Sequence, residues 1–155
     1  MAVMTSAQAA PAVALFAISG IPLVQPGDDL AAFIIKAMED AGPRPENGDV
    51  VAVAQKEVSK AENRFVDLAT VAPSARAIDL AKEIDKDPRL VEVILSESRR
   101  VVRHRPGLIV VEHREGFVMA NAGVDHSNVA EPDGRELVLL LPAHPDASAD
   151  ALRAR

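Results

Sequence analysis

Apolar positions in this chain fall in short runs separated by Gly, Pro and Asp. VALFAI (13–18) is a β-type run closed by Ser19-Gly20, and IPLVQPGDDL (21–30) follows as a loop punctuated by Pro22, Pro26 and Gly27. LAAFIIKAMEDAG then repeats its apolar residues at helical spacing, with Asp28 or Asp29 as the capping acceptor and Gly42-Pro43 as the stop. GDVVAVAQ (48–55) is continuous, small and β-branched, which predicts a buried strand, and KEVSKAENR (56–64) reads as its polar exit. PSARAIDLAKEID (73–85) and DPRLVEVILSESRRVVRHR (87–105) predict two helices, the second with Asp87 as N-cap and Pro88 in its first turn. GLIVVEH and GFVMANAG predict a β-hairpin turning through Arg114-Glu115-Gly116, and ELVLLLP (136–142) predicts a strand after Pro132-Asp133-Gly134. DASADALRAR begins a capped helix. The order β-α-β-α-α-β-β-β-α predicts an α+β fold with a mixed or largely antiparallel sheet and flanking helices.

Composition narrows the functional classes. The chain has 155 residues, of which 48% are hydrophobic, enough for one core. A net charge of -6 argues against a nucleic-acid surface, which needs clustered Lys and Arg to displace counterions from phosphates. Without cysteine there is no disulfide, thiolate metal site or cysteine nucleophile, and without Trp or Tyr there is little to stack a base upon. The first dozen residues lack the basic start of a signal peptide and are expected to be a disordered arm (1–12) ahead of the domain (13–155). No apolar run approaches the about 20 residues of a membrane span, so the expected location is cytoplasmic.

The common site motifs are missing from the sequence. No GxxxxGK[ST] or GxGxxG marks a phosphate loop, no GxSxG marks a nucleophile elbow, and His104, His113, His126 and His144 show no zinc spacing. Three stretches carry candidate chemistry. Lys56 and Lys60 lie four apart near a strand exit with Gln55 and Ser59, where two ammonium groups would meet phosphate oxygens; the competing reading is a solvated turn whose lysines pair with Glu57 and Glu62. In MANAGVDHSNV (119–129), Gly123 allows a tight turn, and Asp125, Ser127 and Asn128 offer hard oxygen donors of the kind magnesium prefers; the competing reading is an Asx turn. One carboxylate does not complete such a site, so Asp125 needs a further acidic ligand. GIPLVQPGDD either lays backbone along a ligand or simply ends in a helix cap.

Taken in order, GIPLVQPGDDL, GDVVAVAQKEVSKAENR, DPRLVEVILSES and NAGVDHSNV followed by LLLPAHPDASADALR resemble the coenzyme F420-0:γ-glutamyl ligases from Gly20 onward, with SKAE and NAGVDxSN the most distinctive. The resemblance implies a homodimeric enzyme that uses GTP and Mg2+ or Mn2+, with K+ a further candidate ion. It would join L-glutamate to the deazaflavin precursor coenzyme F420-0 through an acyl phosphate, then add a second glutamate by a γ-linkage. Carried over by position, it implies nucleotide contacts at Ile21, Pro22, Leu23, Val24, Gln55, Lys56, Lys60 and Asn128, a metal ligand at Asp125, and catalytic roles for Lys60 and Asp125. The resemblance also implies a longer chain whose later half carries an Asp-Thr or Asp-Ser pair that completes a two-metal site. The expectation is therefore the N-terminal part of a ligase domain, with a truncated, non-catalytic nucleotide- or deazaflavin-binding module as the alternative.

Overall fold

In the computed structural model, which describes residues 12–42, 44–126 and 135–155, helix α1 (Leu30–Ala41) is entered through Asp29. The Asp29 carboxylate accepts the Ala32 N–H at 3.0 Å, and the Gly42 N–H closes the helix onto the Met38 carbonyl. Helix α2 (Gln55–Ala61) and strand β1 (Phe65–Asp67) follow, then α3 (Ala75–Ile84) and α4 (Pro88–Ser96). Three strands, β2 (Ser98–Arg105), β3 (Leu108–His113) and β4 (Val118–Ala120), precede β5 (Leu137–Leu139) and α5 (Pro145–Arg153). The strands form two antiparallel sheets, β1-β5 and β2-β3-β4, so the α+β class with antiparallel pairing holds.

Packing explains why this order folds. β3 alternates with period two: Ile109, Val111 and His113 point inward and are fully buried, while Leu108, Val110 and Glu112 are half-buried. The inward residues meet Ile84 of α3 and Val91 and Ile94 of α4 in one core that also holds Leu68, Ala122 and Val138. Side-chain caps lock the two helices. Ser74 Oγ accepts the Ala77 N–H and itself donates to Glu92 of α4 at 2.6 Å, and Asp87 caps α4 with Pro88 in its first turn. The hairpin turns through 114–116 as its sequence predicts, with the Gly116 N–H donating to the His113 carbonyl at 2.8 Å.

Several sequence expectations need correction. The run 87–105 is not one helix: α4 stops at Ser96, Glu97 caps it, and Val101 and Val102 belong to β2, where pairing with β3 outweighs continued helical periodicity. VALFAI and GDVVAVAQ are not the strands their sequence predicts: residues 13–18 and 49–54 belong to no helix or strand and pair with no strand among the described residues, Gly48 lies in a turn and Gln55 opens α2; Leu15 is 93% and Val50 89% exposed. KEVSKAENR is not a strand exit but supplies most of α2, followed by the unforeseen β1. α5 has no side-chain cap; His144 precedes it, and Pro145 and Asp146 open its first turn. The arm expected over 1–12 falls almost wholly outside the described residues, as do Pro132-Asp133-Gly134. Among the described residues no helix is long and apolar enough to cross a membrane.

Candidate functional site

The α2 helix and the chain leading into Asp125 form the most chemically loaded junction in the molecule. Its helical turn puts Lys56 and Lys60 on adjacent turns of one face. Lys56 Nζ forms an ion pair with the Asp125 carboxylate, whose side chain is 18% exposed, while Lys60 Nζ donates to Glu57 Oε1 at 3.0 Å. Ser59 is fully buried and donates to Gln55 Oε1 at 3.2 Å, fixing the first turn. Asp125 is set by the main chain: its N–H donates to the Leu139 carbonyl at 2.9 Å and its carbonyl accepts the Leu139 N–H at 2.8 Å, so it lies along β5.

The turn before Asp125 is strained. Asn121, Ala122 and Gly123 have φ of 53°, 52° and 71° in succession, a left-handed path that a non-glycine residue takes only when its surroundings impose it. Ala122 is buried in the core, and a Cβ on Gly123 would sit 2.8 Å from the Leu141 side chain. Asn121 Oδ1 is buried and accepts no hydrogen bond from the described residues. The sequence pointed to Gly123 alone here; the strain at Asn121 and Ala122 has no signature in residue type.

A charged cluster that the sequence reading missed joins α2 to the rest of the site. Arg64, three residues past α2, donates through Nη2 to Glu97 Oε2 at 3.0 Å and through Nε to the Leu141 carbonyl at 2.9 Å, and its own carbonyl accepts the Leu140 N–H. Glu97 is buried and also pairs with Arg114 at 3.1 Å. His113 Nδ1 accepts the Glu115 N–H, which leaves Nε2 to carry the proton of the neutral ring, 3.7 Å from Glu97. Burial pushes the His113 imidazole below its ordinary value, and the Glu97 charge opposes that shift. Glu62, expected to serve a lysine, instead accepts from the Ala143 N–H at 2.8 Å and from Ser148 Oγ at 2.5 Å, tying α5 to the end of α2. A buried Glu between a helix and an arginine-rich strand was the available hint, but its partner Arg64 lies 33 residues away and Arg114 sits across the hairpin, neither fixed by local spacing.

The remaining predicted residues divide. A cleft of about 990 Å3 lies between α1, residues 14–23 and 49–54 and the start of α2; Ile21, Pro22 and Leu23 line it together with Ala54 and Glu57. Val24 is buried beneath it. Gln55, Lys56, Lys60 and Asp125 do not line this cleft, although the loop is tied to α2 through the Gly27 N–H donating to the Ala61 carbonyl at 2.9 Å. Asn128 and Ser127 lie outside the described residues. Among the described residues no three acidic or histidine side chains converge as a metal cage. Asp125 supplies one hard oxygen ligand. That suits magnesium or manganese only in company with phosphate oxygens and water, the usual mode for Mg2+.

The family model described as F420-0:Gamma-glutamyl ligase matches residues 20–155. Over 140 residues the chain is 44% identical to the coenzyme F420:L-glutamate ligase of Methanothermobacter thermautotrophicus, covering 90% of this chain and 54% of that protein. The protein of the same name from Methanopyrus kandleri is 48% identical over 141 residues, covering 89% and 52%. That from Archaeoglobus fulgidus is 41% identical over 143 residues, covering 92% and 53%. The chain thus spans about half the length of the curated relatives it matches. With both the family model and these relatives matching nearly the whole of it, this chain belongs to the F420-0:γ-glutamyl ligase family.

Proposed function

We propose that the chain forms the N-terminal part of a ligase domain (13–155) that adds L-glutamate to coenzyme F420-0 with GTP as phosphoryl donor, and that α2 and Asp125 form its phosphate and metal side. The observation that carries this reading is the Lys56–Asp125 ion pair beside Lys60. In the ligand-free molecule the two charges satisfy each other at small net gain, as partly exposed pairs do. Metal-bound nucleotide would be held by the same two side chains, Lys56 on a phosphate oxygen and Asp125 on the metal. Lys60, released from Glu57, adds a second point charge from the next turn. A bound Mg2+ or Mn2+ would supply neutralisation of the phosphate charge that develops during transfer. Ile21, Pro22 and Leu23 border the cleft that would take the rest of the nucleotide, with Val24 buried next to them, and the resemblance adds Gln55 and Asn128 as contacts outside that lining.

The chemistry balances as two displacements. The γ-phosphoryl group of GTP passes to the terminal carboxylate of coenzyme F420-0, releasing GDP, and the glutamate amine then displaces phosphate to leave the amide. A second glutamate joins by the same sequence: the γ-carboxylate of the first glutamate takes the phosphoryl group, and the amine of the second displaces phosphate to form the γ-linked amide. Homodimerisation and K+ as a further candidate ion are implied by the family resemblance, a cytoplasmic setting is the expectation from composition, and all three belong to the same proposal.

The second reading, a nucleotide- or deazaflavin-binding module without ligase chemistry, is favoured by one observation: among the described residues Asp125 has no neighbouring acidic pair to complete a two-metal site. Calorimetric titration of GTP with and without Mn2+ separates the two. A ligase site binds GTP more tightly when Mn2+ is present, and Asp125→Asn abolishes that gain because an amide is a poor ligand for a hard cation. Metal-independent binding supports the module, and no binding under either condition overturns both.

A further inference from the structure

α2 ends in a closed turn rather than a frayed one. The Asn63 N–H donates to the Lys60 carbonyl and the Arg64 N–H to the Ser59 carbonyl, both at 2.9 Å, with Asn63 in the left-handed region at φ 53°. This paired closure fixes the residue that follows the turn to the last helical carbonyls, so Arg64 and α2 move together.

Arg64 meets the same stretch of chain that carries Asp125. Leu139 of β5 lies between Phe65 of β1 on one side and Asp125 on the other. Just beyond it, the Leu140 N–H donates to the Arg64 carbonyl at 3.0 Å, and the Leu141 carbonyl accepts from Arg64 Nε at 2.9 Å. The buried Glu97 takes Nη2 of the same guanidinium at 3.0 Å. A buried pair of this kind gains little over an apolar isostere, because desolvation of the two charges offsets their attraction. What it supplies is direction. The guanidinium is planar with its donors in a fixed fork, so anchoring Nη2 on Glu97 aims Nε at the Leu141 carbonyl.

We propose that Arg64, aimed by Glu97, is the positioning residue of the phosphate and metal side, holding α2 against residues 139–141 so that Lys56 faces Asp125. What the Lys56–Asp125 pair does rests on the ligase reading; what holds it rests on this geometry alone. Lysine in place of Arg64 keeps a positive charge beside Glu97, but its single ammonium lacks the fork that reaches both Glu97 and the Leu141 carbonyl. The double variant Arg64→Met, Glu97→Met removes both charges together, leaves neither of them buried without its partner, and lacks the fork as well.

The test sets these two variants against Ile84→Val, a core truncation in α3, which packs on α4 and β2. Residual dipolar couplings of the ligand-free chain give the orientation of α2 relative to β2 and β3, and calorimetry gives the tightening of GTP binding by Mn2+. In Arg64→Lys and in the double variant, the couplings of α2 should leave the wild-type orientation while those of β2 and β3 keep it. The Mn2+-dependent gain in GTP affinity should shrink by about tenfold or more, the usual effect of removing a group that orients a metal ligand. Ile84→Val lowers stability and should leave both readouts at wild type. A wild-type orientation of α2 in whichever fork variant folds overturns the proposal, and so does a reoriented α2 with an undiminished Mn2+ gain. The same changes in Ile84→Val also overturn it, since Arg64 would then act through stability alone. If Mn2+ leaves GTP binding unchanged in the wild type, the ligase reading fails, and the dipolar couplings alone decide whether Arg64 sets the Lys56–Asp125 pair.

Discussion

The body built from α3, α4 and the three-stranded sheet and the flank built from residues 12–24, α1 and 49–54 draw on the same residue types, but only the body has closed. In the body, Ile84, Ile94, Ile109 and Val111 are fully buried against one another. In the flank, Val13, Leu15, Leu23 and Val50 face outward. The difference is not hydrophobicity but partnership: β3 has β2 and β4 to pair with and two helices to cover its inner face, whereas the flank segments pair with no strand among the described residues and border an open cleft with α1 and the start of α2. A strand-like sequence is not enough for a strand, because the ladder requires a neighbour.

The sharpest way to break this contrast is a pair of truncations. Ile94→Ala should cost about 2–5 kcal/mol in urea unfolding, since it opens a cavity that the packed body cannot collapse, while Leu15→Ala should stay within about 0.5 kcal/mol. Comparable losses at the two sites would mean that the flank is packed after all. Next in size is Glu97→Ala, which strands the Arg64 and Arg114 guanidiniums; a loss of about 3 kcal/mol is expected, with part-exposure of both arginines keeping it at the low end. Gly123→Ala combines left-handed strain with the Leu141 contact and should cost about 2 kcal/mol. Adding Leu141→Ala should recover the steric share but not the backbone share, which a double-mutant cycle measures.

The smallest effect is one of pH, and its sign follows from His113. Burial holds its folded value below the ordinary 6.5, so on acidification the unfolded chain takes up the proton first. Stability is therefore complete above pH 6.5 and falls as the pH drops below it, levelling once the folded ring is protonated. Asp87, held low by its hydrogen bond to Arg89, and Glu92, held low by Ser74, act in a separate and more acidic window, where their stabilisation is lost as they protonate. Urea midpoints at pH 7.5 and 5.5 should differ in the wild type and nearly coincide in His113→Gln; an equal difference in both would remove His113 from the account (about one pH unit either side of an ordinary imidazole).

What the sequence made legible was local. Asp28-Asp29 and Asp87 announce helix starts, Gly116 announces the hairpin turn, and the apolar run of GLIVVEH announces β3, whereas the Ser74 cap and the burial alternation of β3 emerge only in the fold. The misreadings came where distant partners decide. Val101 and Val102 continue the helical spacing of α4, but β3 draws them into a strand. QKEVSKA looked like the tail of a strand because VVAVA precedes it, yet its residues are good helix formers joined by Gln55–Ser59 and Glu57–Lys60 contacts. At the site, Lys56, Lys60 and Asp125 were visible as residue types. That Lys56 rather than Lys60 meets Asp125, and that Arg64 and Glu97 hold the junction, depends on contacts across scores of residues that no local spacing encodes.

The central claim is that metal-bound nucleotide lodges where α2 meets Asp125, and its location is open to direct measurement. Amide NMR spectra of the labelled chain in excess GTP, titrated with traces of Mn2+, report distance from the ion through paramagnetic broadening. Signals of Gln55–Lys60 and Val124–His126 should broaden first, while those of α3, which packs on α4 and β2, stay sharp. Broadening centred on α3 or the β2 arginines, with α2 untouched, would contradict the account.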